Sequence, residues 1–194
     1  MSSVVLSGDT SGTVTITVPA VAGSNTVTVP AGTGTVAVQG VSTNIVSGTA
    51  VASTSGTSID FTSIPSWVKR ITVMFNGVST SGTSLVQVQL GSSGGITNSG
   101  YAGITQSSGA SQNSSTGFIL DTSGSAAYTR YGAVVLNNIT ANTWSIFGTV
   151  GALSTFTAAV SGAVAVASAL TTVRITTVNG TDTFDAGSIN ILYE

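Results

Sequence analysis

The chain has 194 residues, with four basic and six acidic side chains, 24 Gly, no His and no Cys. Ser-His-Asp and Cys-His catalysis, imidazole or thiolate metal sites and disulfides therefore lack their raw material, and neither a metal nor a cofactor is expected. Only 5% of the residues are charged and 41% are hydrophobic, against about 25% charged in an average soluble domain, so the composition is that of a folded chain and not a disordered one.

A formal charge of -2 provides no basic stripe to displace counterions from phosphates, which argues against nucleic acid and anionic membrane as partners. So little charge also gives little repulsion between copies, and assembly with other chains is the expected state. The long uncharged stretches, residues 10–59, 71–120 and 131–173, are interrupted throughout by Ser, Thr and Gly. A membrane span needs about 20 predominantly apolar residues, so these stretches read as sheet and loop. The first residues lack a positive segment followed by an apolar one, so no secretory signal is expected and synthesis in a cytoplasm is.

From residue 1 to residue 59 there is no aromatic side chain and a single charge, Asp9. The pattern predicts three short strands there. Val14, Ile16 and Val18, then Val27 and Val29, then Val36 and Val38 alternate with Thr and Ala, the period of two that puts β-branched residues on one face. Thr17-Val18-Pro19-Ala20 recurs as Thr28-Val29-Pro30-Ala31, one strand and one turn per unit. Such a sheet, without a large side chain, cannot enclose a core, so a second layer must come from the rest of the chain, another copy or another protein. The reading favours the last two, with residues 1–46 as an assembly arm and the Gly-, Ser- and Thr-rich residues 47–58 as a linker.

Residues 59–194 carry all six Phe, four Tyr and both Trp, enough large side chains for an independent core. Strands are predicted near 58–61, 70–76, 84–90, 101–105, 117–120, 130–136, 144–150, 155–160, 172–178 and 188–193. Ile71, Val73 and Phe75 alternate with polar or smaller neighbours, and Val86, Val88 and Leu90 alternate with Gln87 and Gln89, an apolar-in, polar-out pattern. About ten strands with Gly and Ser turns and no helical period predict an antiparallel β-sandwich of jelly-roll type. Residues 158–170 are too rich in Val, Ser and Gly for a helix.

Asp182 and Asp185, in Asn179-Gly180-Thr181-Asp182-Thr183-Phe184-Asp185, are the sole close carboxylate pair. A glycoside-cleaving pair would have to flank a cleft, whereas Asn, Gly and Asp at this spacing are turn formers; the turn is the expected role and the chain is read as not an enzyme. Asp121 with Arg130, and Asp60 with Lys69 and Arg70, are expected surface ion pairs, across neighbouring strands or between subunits, that mark register and are not active groups. Trp67, Tyr101, Tyr128, Tyr131 and Trp144 are candidates for stacking on sugar rings, although most must serve the core.

The string from Leu6 to Thr15, with the segment from Pro19 to Ala31 and Gly34-Thr35-Val36, resembles a segment of virion proteins of tailed bacteriophages, including those that infect cyanobacteria. Ile64-Pro65-Ser66-Trp67-Val68-Lys69-Arg70-Ile71 through Gly91, Gly100-Tyr101, and Phe184-Asp185-Ala186-Gly187-Ser188 through Tyr193 are similar to a β-sandwich module of phage fibre and capsid-surface proteins. The resemblance implies a homotrimer with interlacing N-terminal segments, and a virion location. It implies a non-enzymatic capsid cement or decoration protein that binds the major capsid protein and other virion proteins, or else a short tail fibre that binds host glycan. Brevity is read in favour of cement, since the chain lacks room for shaft, attachment domain and receptor-binding tip together.

Overall fold

The computed structural model describes residues 3–7, 11–17, 45–152 and 155–194. The chain divides into two compact units, Met1–Val38 and Gln39–Glu194. In the first, β1 (Ser3–Ser7) pairs antiparallel with β2 (Thr13–Thr17), placing Val4 opposite Ile16 and Leu6 opposite Val14. The expected strand through Val14 and Ile16 is therefore present, and its partner lies before it in the chain. Val18, Val27, Val29, Val36 and Val38 lie outside the described residues.

The second unit is all-β, with no helix among the described residues. Its strands are β3 (Val46–Ser47), β4 (Val51–Ala52), β5 (Ser58–Phe61), β6 (Arg70–Thr80), β7 (Val86–Ser92), β8 (Gly95–Ile96), β9 (Ala102–Ser107), β10 (Ala110–Ser114), β11 (Phe118–Ile119), β12 (Arg130–Thr140), β13 (Thr143–Ala152), β14 (Phe156–Ala165), β15 (Leu170–Thr177) and β16 (Phe184–Tyr193). A large antiparallel sheet runs β10-β9-β14-β13-β12-β6-β16-β3, with β4 also on β16; a smaller one runs β11-β7-β15-β5, with β8 on β7. The chain crosses repeatedly from one sheet to the other, as in a jelly roll. The hairpin β9-β10 and the meander β12-β13-β14 stay within the large sheet.

Alternation builds the core between the sheets. Ile71, Val73 and Phe75 of β6, Trp144, Ile146 and Val150 of β13, and Ile189 and Ile191 of β16 point inward to meet Val86, Val88 and Leu90 of β7 and Val173 and Ile175 of β15. Each inward β-branched or aromatic side chain removes apolar surface from water, and on β6, β13, β15 and β16 the positions between those named stay partly or fully exposed.

Three expectations need correction. Gln87 and Gln89 were expected to face solvent, yet both are buried. Gln89 Nε2 donates to Thr116 O at 2.9 Å and Gln87 Nε2 to Thr177 O at 3.4 Å, with Gly117 packed against both side chains. The chain leading into β11 thus covers this face, and main-chain oxygens satisfy amides that burial would otherwise penalise.

The stretch 47–58 is not a free linker. Ser47 and Val46 pair with Leu192 and Tyr193, and Val51 and Ala52 with Ile189 and Ser188. Gly48 N donates to Ile191 O, Ser53 N to Gly187 O, Ser53 Oγ to Ala186 O, and Phe184 N to Gly56 O. A bare β16 edge would leave a row of main-chain donors and acceptors unpaired. These small residues follow it closely enough to fill that row, so the second unit begins well before residue 59.

The ion pairs also differ. Asp60 is held by Arg174, opposite it on β15, through Nε at 2.8 Å and Nη2 at 2.6 Å, and not by Lys69 or Arg70. Arg70 meets Glu194 at 3.1 Å. Asp121 and Arg130 do pair, but with both side chains fully buried instead of on the surface.

Candidate functional site

The carboxylates closest in sequence do not form a pair. Asp182 Oδ2 accepts from Ser84 N at 2.9 Å and Oδ1 from Asn179 Nδ2 at 2.7 Å. The Asn179 and Ser84 bonds stabilise the ionised form and hold the Asp182 carboxyl below its ordinary range. Asp185 accepts from Ser79 Oγ instead. Asn179 Oδ1 accepts from Thr181 N, Asp182 N and Thr177 Oγ1, the self-closing bonds of an Asx turn, so the residues act as the turn their sequence suggested. Among the described residues no group of three His, Cys, Asp or Glu could hold a metal ion, and no helix is long and apolar enough to cross a membrane.

The sugar-stacking candidates separate sharply. Tyr101 is 4% exposed, edge-on to Phe118 with centroids 4.8 Å apart, and its hydroxyl donates to Thr97 O while accepting from Leu90 N. Burial pushes its pKa up to about 12. Trp144 is 3% exposed in the core, and Tyr128 is half-buried, edge-on to Phe156 at 5.5 Å. Tyr101 and Trp144 offer no ring face for a ligand, since both belong to the core. Trp67 differs: it is 51% exposed, with its ring tilted against Tyr193 at 5.8 Å.

Two surface features remain. The first is an end of the sandwich where the short segment before β6 places Trp67 and Lys69 beside Arg70 at the strand's start, and β16 brings Glu194 alongside. These four residues line a cavity of about 390 Å³. Main-chain bonds fix the arrangement, because Lys69 N and Arg70 N both donate to Glu194 O at 2.8 Å and Glu194 N donates back to Arg70 O at 3.0 Å. A second cavity of about 210 Å³ shares Lys69 and is lined also by Asn138, Asn142, Pro65 and Trp144. Tryptophan and lysine are close in the sequence, but only the β6-β16 pairing delivers Glu194 to them.

The second feature is the outer face of the large sheet. Across β9, β10, β12, β13 and β14 the only charged residue is Arg130, and it is buried. Val135, Phe147, Ser161 and Ile104 form one cross-strand row, flanked by the row Ala133, Thr149, Ala159 and Gln106. Phe147 is 52% exposed, Ile104 44% and Tyr131 43%. The sequence reading located assembly in the N-terminal arm and missed this face. The signal was present: Phe147 has the opposite parity to Trp144, Ile146 and Val150, within a stretch with no charge from residue 131 to residue 173.

Comparison of the chain with protein-family models, with curated protein sequences and with solved structures finds no match.

Proposed function

We propose that the chain is a non-enzymatic structural protein of a phage particle, a capsid cement or decoration protein that works as a homotrimer and binds the major capsid protein. The observation that carries this reading is the part of the large sheet's outer face built by β9, β10, β12, β13 and β14, which bears no exposed charge and leaves Phe147, Ile104 and Tyr131 exposed. A face without charges is electrostatically compatible with a second copy of itself, and its mixture of Ala, Ser, Thr and Gly allows the close approach that interfaces need. A strongly charged partner would find no counter-charges there. The resemblance of the N-terminal string and of the sandwich to phage virion segments supports the particle as the setting, with the hairpin β1-β2 extending assembly by strand pairing. The turn roles of Asp182 and Asp185 favour a protein that does no chemistry of its own.

Native mass spectrometry and sedimentation velocity on the purified chain test the reading. A trimer is expected for the wild type. Phe147→Lys, which adds a charge at an exposed position, is expected to give a folded monomer. A monomeric wild type, or a Phe147→Lys trimer of unchanged stability, overturns the role given to this face. The number of copies per particle relative to the major capsid protein then tests location, with cement expected in the hundreds.

A second reading, a short tail fibre that binds host glycan, is favoured by one observation, the exposed ring of Trp67 above a cavity lined by polar side chains.

A further inference from the structure

We infer that the cavity formed by Trp67, Lys69, Arg70 and Glu194 is a binding site for an acidic saccharide, a pyranose bearing a carboxylate. The inference rests on the glycan-binding reading and narrows it to one ligand class.

Three observations combine. Trp67 leaves about half its surface free, 51%, and Tyr193 supports the ring from one side at 5.8 Å. A sugar's apolar C–H face can lie on the remaining indole surface without ordering the ring anew, because Tyr193 already restrains it.

Lys69 is the unusual cation. Arg70, Arg130 and Arg174 each meet a carboxylate, Glu194, Asp121 and Asp60 respectively. Among the described residues Lys69 has no carboxylate partner, and its Nζ donates to the neutral Asn138 Oδ1 at 3.3 Å. In a chain with only four basic residues, the one left without a counter-charge lines the same cavity as the exposed indole. An anionic group on the ligand supplies the missing partner, and a lysine ammonium keeps donors available for it beyond the Asn138 bond.

Arg70 and Glu194 set the polarity of the rest of the site. Their ion pair at 3.1 Å presents guanidinium donors and carboxylate acceptors toward the cavity, suited to the adjacent hydroxyls of a pyranose. The carboxylate of the ligand is thereby directed to Lys69, away from Glu194.

Tetragalacturonate and maltotetraose, titrated separately into the full-length protein, test the inference. Intrinsic fluorescence reports on Trp67, the exposed tryptophan, and calorimetry gives the affinities. Saturable binding of tetragalacturonate is expected, with maltotetraose at least about tenfold weaker, the difference a charge-assisted hydrogen bond makes. Lys69→Gln is expected to remove that preference and the sensitivity of binding to added salt, and Trp67→Ala to abolish binding and the fluorescence change. Both side chains are exposed, so both variants retain the core. Equal affinity for the two sugars, or an acidic preference that survives Lys69→Gln, overturns the acidic assignment while the glycan reading stands. Absence of binding to either sugar overturns both.

Discussion

Arg130 Nε donates to Asp121 Oδ2 at 2.8 Å, and both side chains are completely shielded from solvent. Asp121 Oδ2 also accepts from Val86 N at 3.4 Å, which joins the start of β7 to the start of β12 through one carboxylate. Removing one partner leaves an uncompensated charge in the core. Asp121→Ala is therefore expected to destabilise the fold by about 3–5 kcal/mol, and Asp121→Leu combined with Arg130→Met by much less. Urea denaturation of the two variants measures the difference; equal losses would mean that the charges are not what the site protects.

The same carboxylate links stability to pH. Burial raises the Asp121 pKa above its ordinary value of 3.8, with the Arg130 charge opposing that shift. A carboxyl whose folded-state pKa is raised holds its proton longer in the folded chain than in the unfolded one. Its contribution is thus fully present below 3.8 and falls as pH rises through the folded value. Comparing wild type with Asp121→Asn across that range should show a downward slope with pH in the wild type that the variant lacks.

Tyr101 ties three segments together, since its hydroxyl accepts from Leu90 N at 2.8 Å and donates to Thr97 O at 2.9 Å. Tyr101→Phe keeps the ring against Phe118 but leaves the buried Leu90 amide without that acceptor, at an expected cost of about 1–3 kcal/mol. The shifted pKa adds an alkaline signature. Because the folded value is raised from 10.0 to about 12, the contribution holds below 10 and declines as pH climbs toward 12. Phenolate absorbance during an alkaline titration should show one tyrosine ionising late, and that step should be missing from Tyr101→Phe.

Much of the sandwich was legible in local alternation, and the misses have physical reasons. Each of the ten expected strands in the second unit has a counterpart, with β5 matching its expected bounds, because a one-sided apolar pattern survives any tertiary arrangement. Gln87 and Gln89 were misread since a glutamine that reaches a carbonyl satisfies burial as well as water does. Residues 47–58 resemble a linker for the same reason that they fit the β16 edge: they are small. The Asp60-Arg174 pair and the meeting of Lys69 with Glu194 depend on pairings between distant strands, which no local spacing encodes. Trp67 was among five aromatic candidates; burial removed Tyr101 and Trp144 and left Trp67 and Tyr131 exposed, and only the β6-β16 pairing brings Glu194 to Trp67.

At the turn after β15, Asp182 holds the main-chain amide of Ser84 and the side chain of Asn179. Its lowered pKa fixes the direction of its pH dependence: the contribution is present above the ordinary value of 3.8 and lost as pH falls through the folded one. Hydrogen exchange should therefore show the Ser84 amide protected at neutral pH and released on acidification. Asp182→Ala should release it at neutral pH while strands β6 and β15 keep their protection. Retained protection of Ser84 in that variant would mean that the turn is held by its Asn179 bonds alone.

The separation of Met1–Val38 from Gln39–Glu194 as compact units sets up the last test. The first unit carries no aromatic residue, so it adds no large side chain to a core, and the second contains an apolar core drawn from its own strands. Deleting residues 1–38 should therefore leave the thermal midpoint of the second unit within about 2 °C of its value in the full chain, a change corresponding to a fraction of a kcal/mol for a unit of this size. The edge of β16 would stay covered, because residues 46–52 remain. If the hairpin serves assembly, the truncated chain should also lose its hold on particles while keeping its fold. A midpoint lowered by more than about 5 °C would make the hairpin a structural part of the sandwich. Unchanged particle binding by the folded truncation would transfer the whole of assembly to the face around Phe147.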